Sequence, residues 1–295
     1  MAPWRYHVWR FGKTMTAAGR MLLRHEVPRD AAGISYFTIM ALFPAILVVI
    51  AAVDAFLGKM EWHDMVVESI VGLFPGSRQF VRSNLAEVTT PSKAGIISCI
   101  VVVFWAASWI FSFIENSINR AWDIPNQRTF WESRLRTIAL LALASVSLFC
   151  SAGLTIFVGM ARARAAEHIH LDGYATASEF IGWFWYLVLL GTGILVAVFV
   201  FSMVYKWTPH CKVFWREAFT SAVVATAIWE VAGYIFMKVV PLFDYQQVYG
   251  RMGATVTLLA WVYTSNMILL FGANFCSQLH WIRAEMPGPE FFPDK

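Results

Sequence analysis

Five stretches of this chain run for more than twenty residues without an Asp, Glu, Lys or Arg: 31–53, 94–114, 137–161, 180–205 and 252–277. Each is long enough to cross a hydrocarbon core of roughly 30 Å, which takes about 20 apolar residues as an α-helix. A sixth, 218–237, is equally apolar except for Glu230. Lipid offers the backbone no hydrogen-bond partners, so segments of this length cross it as helices. The expected fold is all-α: a polytopic membrane protein with six transmembrane helices and flanking amphipathic interfacial helices. Composition excludes the main alternatives. Only 14% of residues are charged, against roughly 25% in soluble domains, too few to coat a soluble enzyme. A net charge of +4 is too small to supply the basic face of a nucleic-acid binder.

Six crossings put both ends on one side, and Lys and Arg favour cytoplasmic loops. The side holding the termini carries 15 basic residues and the opposite side 8, which predicts cytoplasmic N- and C-termini. Trp122, Trp131, Trp183, Trp185, Trp207, Trp215 and Trp281 fall at expected span ends, the depth an amphipathic indole prefers.

The chain divides into a leader (1–30), a membrane domain (31–282) and a Pro-containing cytoplasmic tail (283–295). The leader has six basic residues and no apolar core, so it does not read as a signal peptide. Trp4, Val8, Phe11, Met15, Ala18 and Leu22 recur at helical spacing with Arg10, Lys13, Arg20 and Arg24 on other faces. That pattern predicts an interfacial helix on anionic inner-leaflet lipids. The 54–93 loop is too long to be structureless. Two apolar stripes separated by Pro75, Gly76 and Ser77 predict a helical hairpin, either capping the outer mouth or resting on the leaflet. The four cysteines, Cys99, Cys150, Cys211 and Cys276, show neither disulfide nor metal spacing.

Several segments carry a family resemblance. Ala32-Gly33-Ile34-Ser35-Tyr36-Phe37-Thr38-Ile39-Met40-Ala41-Leu42-Phe43-Pro44 and Glu115-Asn116-Ser117-Ile118-Asn119-Arg120-Ala121-Trp122 resemble signatures of the YihY/BrkB family of bacterial membrane proteins. So do Val204-Tyr205-Lys206-Trp207-Thr208-Pro209, Trp229-Glu230-Val231-Ala232-Gly233-Tyr234, and Tyr245 to Ala254 followed by Trp261-Val262-Tyr263. The similarity covers about residues 30–276 and departs at Asn274, where many relatives place Glu. It implies a six-helix bacterial inner-membrane protein, associated with virulence and with transport, without an assigned substrate, cofactor or catalytic residue.

An older label for that family, ribonuclease BN, meets a chemical test in His168-Ile169-His170-Leu171-Asp172. This begins a His-x-His-x-Asp-His metal-hydrolase motif, but Gly173 stands where the second metal needs His. The other histidines are scattered through the chain, so no metal site and no nuclease are expected. No Walker loop is present.

Glu230 is the sharpest candidate. A carboxylate within a span costs about 2.5 kcal/mol or more unless protonated, paired or hydrated, and is expected to face the bundle interior. It reads as a coupling or substrate-orienting acid, or else as a packing lock to a neighbouring helix. Asn266, Ser35 and Tyr36 join it as transport candidates, with Tyr249 and Arg251 in the shaped turn before the last span. Ser108, Ser112, Glu115 and Asn119 are candidates for a cytoplasmic vestibule. Pro44 is expected to kink the first span. The functional expectation is an inner-membrane transporter of a lipid or amphiphile, with membrane lipids as partners and a homo-oligomer compatible with the pattern. A non-transport scaffold or regulator of envelope integrity, and an ion channel, stand as alternatives.

Overall fold

The computed structural model describes residues 3–24, 26–57, 92–124, 175–242, 248–249 and 252–285, and every regular element among them is helical. These are α1 (Pro3–Arg24), α2 (Val27–Leu57), α3 (Lys93–Ala121), α4 (Ala175–Trp207), α5 (Trp215–Val239), a 3-10 turn (Val240–Leu242) and α6 (Gly253–Glu285). Helices α2 to α6 are each long and apolar enough to cross a membrane. They match five of the six expected spans, and each outruns its charge-free stretch by some residues. The third expected span (137–161), residues 58–91 of the outer hairpin and the tail from 286 lie outside the described residues.

Local chemistry sets several helix ends. Glu26 has a positive φ of 54° and its carbonyl accepts from Arg29 and Asp30, turning the chain from α1 into α2. Asp30 then lies in the first turn of α2, where a carboxylate suits the helix dipole. Ser92 caps α3, its Oγ accepting from Gly95 N–H at 3.2 Å. At the other end of α3, Ile124 N–H donates to Asn119 C=O and Asp123 N–H to Arg120 C=O, with Asp123 at φ 52°. This is a Schellman motif with Asp where Gly is usual. Glu217 accepts from Phe214 N–H at 3.4 Å to start α5, and Pro241 follows its end. Pro44 lies inside α2, which continues through it as one helix to Leu57.

Packing gives α6 the central place. Helix α2 pairs with α3, α4 pairs with α5, and α6 touches all five of the other described helices. Half of its apolar window is buried, against 22% or less in the other four spans. Close contacts exploit glycine: the Phe113 ring lies 3.0 Å from where a Cβ on Gly33 would stand, and Trp261 lies 3.2 Å from a Cβ on Gly233. In membranes, where apolar burial gives no advantage over lipid, such close fits are what drive association.

The leader stripe has a partner within the protein. Ala18 is buried with Phe271 and Phe275 of α6, Phe11 meets Phe275 edge-on at 5.6 Å, and Gln278 Nε2 donates to Met21 Sδ. Much of the surface expected to face lipid therefore packs on α6. Trp9 stays exposed, with Lys13 Nζ 5.4 Å from its ring centroid.

Candidate functional site

Two bonds across α6 define a polar layer inside the bundle. Trp229 Nε1 of α5 donates to Ser265 Oγ at 3.1 Å. The next residue, Asn266, donates from Nδ2 to Ser35 Oγ of α2 at 3.0 Å. Ser35 is fully buried and donates in turn to Ala31 C=O at 2.6 Å. Ser35, Asn266, Ser265 and Trp229 thus share one level, and Glu230 sits beside Trp229. Glu230 is thirteen residues along α5 from Glu217, roughly 20 Å at 1.5 Å per residue.

Glu230 lies on the flank of the α6-facing surface, not within it. It is half-buried, with Val231 and Tyr234 exposed beside it, and among the described residues it has neither a hydrogen bond nor an ion pair. The reason is helical geometry. Trp229, Gly233 and Phe236 take the face against α6, and the residue after Trp229 is turned about 100° away from it. One turn earlier, Thr226 is buried with its hydroxyl unpartnered. Lys238 is exposed over the Tyr234 ring, and the hydroxyl of Thr257 donates to Gly253 C=O.

A second constellation gathers where α2 and α5 begin and α3, α4 and α6 end. Asp30, its side chain 3% exposed, is paired with Arg120 of α3. Glu217, 2% exposed, lies 3.0 Å from His280 Nδ1 of α6. Glu115 of α3 lies 2.9 Å from Nε2 of His210 in the α4–α5 turn, and His210 N–H donates to Asn119 Oδ1 at 3.1 Å. Ser277 Oγ donates to Ala121 C=O, closing α6 on the end of α3. Tyr205 of α4 is buried and donates to Leu269 C=O at 3.0 Å. Cys211, half-buried in the α4–α5 turn, has its thiol pKa pushed up by burial, with Glu217 adding to the rise.

The structure therefore joins Ser35 with Asn266, and Glu115 and Asn119 with His210. Tyr36 is separated from Ser35: it is 62% exposed, its ring against Phe37 on the outward face of α2. Ser108 and Ser112 are half-buried on α3, Tyr249 is exposed, and Arg251 lies outside the described residues. Asn274 is buried, donating to Leu270 C=O while its Oδ1 has no partner among the described residues. Sequence reasoning missed Asp30, Arg120, Glu217, His210 and His280. It used Asp30 and Glu217 as span boundaries, counted Arg120 among the basic residues of a loop and treated the histidines as scattered, whereas His210 and His280 come to the same end of the bundle. The legible signal was the extra turn or two by which helical periodicity runs past each charge-free stretch. Among the described residues no three His, Cys, Asp or Glu side chains gather as metal ligands, and His168 to Asp172 lie outside them.

Five described spans, four of them arranged around the fifth, α6, with a polar layer at depth, define a polytopic all-α membrane protein. The chain belongs to the virulence factor BrkB family, whose model matches residues 18–289. It is similar to YfkH of Bacillus subtilis (strain 168), named ribonuclease-like, at 27% identity over 87% of this chain and 91% of that protein. It is also similar to the UPF0761 membrane protein RSc1559 of Ralstonia nicotianae, at 25% identity over 90% of this chain and 60% of the relative. A UPF0761 membrane protein of Aeromonas salmonicida is 26% identical over 82% of this chain and 80% of its own length. The chain thus spans under two thirds of the Ralstonia protein's length. No solved structure matches it.

Proposed function

We propose that the protein is a transporter of the bacterial inner membrane, with both termini cytoplasmic, that moves a lipid or amphiphile past the polar layer of Ser35, Asn266 and Glu230. The observation that supports this most is Glu230 itself: a half-buried carboxylate about 20 Å from the charged end of the bundle, unpartnered among the described residues and level with the Asn266–Ser35 bond. A carboxylate at such depth is a functional group by default. Its position at the edge of the packed face suits an amphiphile whose head enters the layer while its tail stays in lipid. The excess of Lys and Arg on the side of the termini supports the orientation. Exposed Trp9, Lys13 and Arg20 of α1 support contact with anionic lipid at that surface. On this reading the protein does no covalent chemistry, and the ribonuclease-like name of the Bacillus relative describes no activity of this chain.

The test is transfer of fluorescent phosphatidylglycerol and phosphatidylethanolamine between leaflets of proteoliposomes. Wild-type protein should accelerate transfer of at least one, and Glu230→Gln, with unchanged expression and melting temperature, should slow it about tenfold, the scale of one lost charge-assisted contact. Equal transfer by the two proteins would remove Glu230 from the mechanism, and no acceleration by wild type would remove lipid transfer. The scaffold alternative is favoured by one observation, the tight fit of Gly272 against Tyr205 and Ala225.

A further inference from the structure

The α4–α5 turn, residues 208–214, is built as a unit. Lys206 Nζ donates to Val213 C=O and lies 5.6 Å from the Trp215 ring centroid. Thr208 N–H donates to Val204 C=O, and Glu217 accepts from Phe214 N–H. The turn is therefore braced to the ends of its own two helices. Its hold on the rest of the bundle is partly apolar, through Val213 in the buried core and the Phe214 ring 6.2 Å from that of His280, and partly polar. His210 attaches it to α3 through the Asn119 and Glu115 bonds, at 3.1 and 2.9 Å, and Glu217 attaches the start of α5 to His280 of α6. Polar contacts of this kind can exchange their partners for water, which the close-packed contacts deeper in the bundle cannot. The docked joint also leaves polar groups unmet among the described residues: Asn119 Nδ2 and Thr208 Oγ1 have no partner there, and both residues are more than nine-tenths buried. Undocking would hydrate them, so the closed arrangement carries its own bias toward opening.

We infer that the α4–α5 turn is a strap over the charged end of the bundle, held shut by His210 on Glu115 and Asn119 and by His280 on Glu217, and that its release swings the α4–α5 pair away from α3. The inference rests on the transport reading, since an opening at this end is one half of alternating access. Its own test needs no substrate, because the strap carries a native reporter. Cys211 is next to His210 and half-buried, whereas Cys276 is buried in α6 and Cys99 lies in the first third of α3, near its other end.

The full-length protein in proteoliposomes is treated with N-ethylmaleimide at one fixed pH, and labelling of each cysteine is followed by peptide mass spectrometry. Asn119→Ala, and Asn119→Ala with Glu115→Gln, should raise the Cys211 labelling rate stepwise. The double variant should reach about thirtyfold or more, as expected from loss of one charge-assisted bond and one neutral bond, with Cys99 and Cys276 unchanged. Cys276 serves as the folding control. If a variant labels Cys276 as well, His280→Gln replaces it, because that change weakens the second attachment from α6 and leaves Glu115 and Asn119 in place, although the His280 ring also lies 5.2 Å from that of Trp122 at the end of α3. Cys211 rates within twofold of wild type in the folded variants overturn the strap. Glu230→Gln should leave Cys211 labelling unaltered, so a failed lipid assay with a responsive Cys211 rejects the transport reading alone, and a silent Cys211 with intact transfer rejects the strap alone.

Discussion

Gly272 shows how much one missing methyl group decides. A Cβ there would overlap Tyr205 Oη and come within 2.9 Å of Ala225 Cβ, so α4, α5 and α6 meet at this point only because the side chain is absent. Gly272→Ala should lower stability by about 1–3 kcal/mol, the usual cost of overpacking. Tyr205→Phe alone should cost about 0.5–1.5 kcal/mol through the lost bond to Leu269 C=O. The double variant should be somewhat more stable than the sum implies, because removing Oη takes away the closest contact of the new methyl, while Tyr205 Cζ at 2.7 Å and Ala225 Cβ at 2.9 Å remain to be relieved. Thermal unfolding of the four proteins in detergent closes this cycle, and strict additivity would show that the overlap is relieved elsewhere. The same scale explains Glu230. Its presence in an apolar stretch is legible in the sequence, but its placement on the flank follows from its neighbour Trp229 taking the α6-facing position and bonding Ser265.

Among the elements, α3 has the most fully specified ends. Ser92 starts it and the Schellman turn at Asp123 stops it, so its length follows from local chemistry. Asp123 holds φ 52°, a conformation that strains a side chain bearing a Cβ. Asp123→Gly should therefore raise stability by about 0.5–1 kcal/mol, the strain relieved exceeding the entropy added to the unfolded chain. A lower melting temperature would mean that the Asp123 side chain itself supports the turn. Helix α1 makes the opposite point. Its stripe announces an amphipathic helix, yet a stripe facing lipid and a stripe facing another helix have the same period. Ala18 packing against Phe271 and Phe275 was legible as burial, but not as burial against this partner.

The whole molecule is organised by α6, and its charged end is where distant segments are tied. Asp30 and Arg120 are 90 residues apart, Glu115 and His210 95, and Glu217 and His280 63. Arg120→Ala would leave the Asp30 carboxylate buried without its guanidinium, and should cost about 1.5–3 kcal/mol, tempered by the partial exposure of Arg120. Adding Asp30→Asn should return part of that loss, because the buried charge, then left with only Arg29 at 3.9 Å among the described residues, is gone. Equal melting temperatures for the single and double variants would show that Asp30 has other support. The sequence by itself determined that the chain is an all-helical membrane protein, five of whose crossings lie where the apolar runs put them. Hydropathy and length are summed along the chain and need no knowledge of neighbours. Only the tertiary structure decided which polar side chains meet: that Ser35 joins Asn266 across 231 residues of chain, that Tyr36 turns away, and that two histidines read as scattered each hold a carboxylate at one end. Those outcomes depend on the rotation of each helix about its axis and its register against α6, and a run of apolar residues encodes neither.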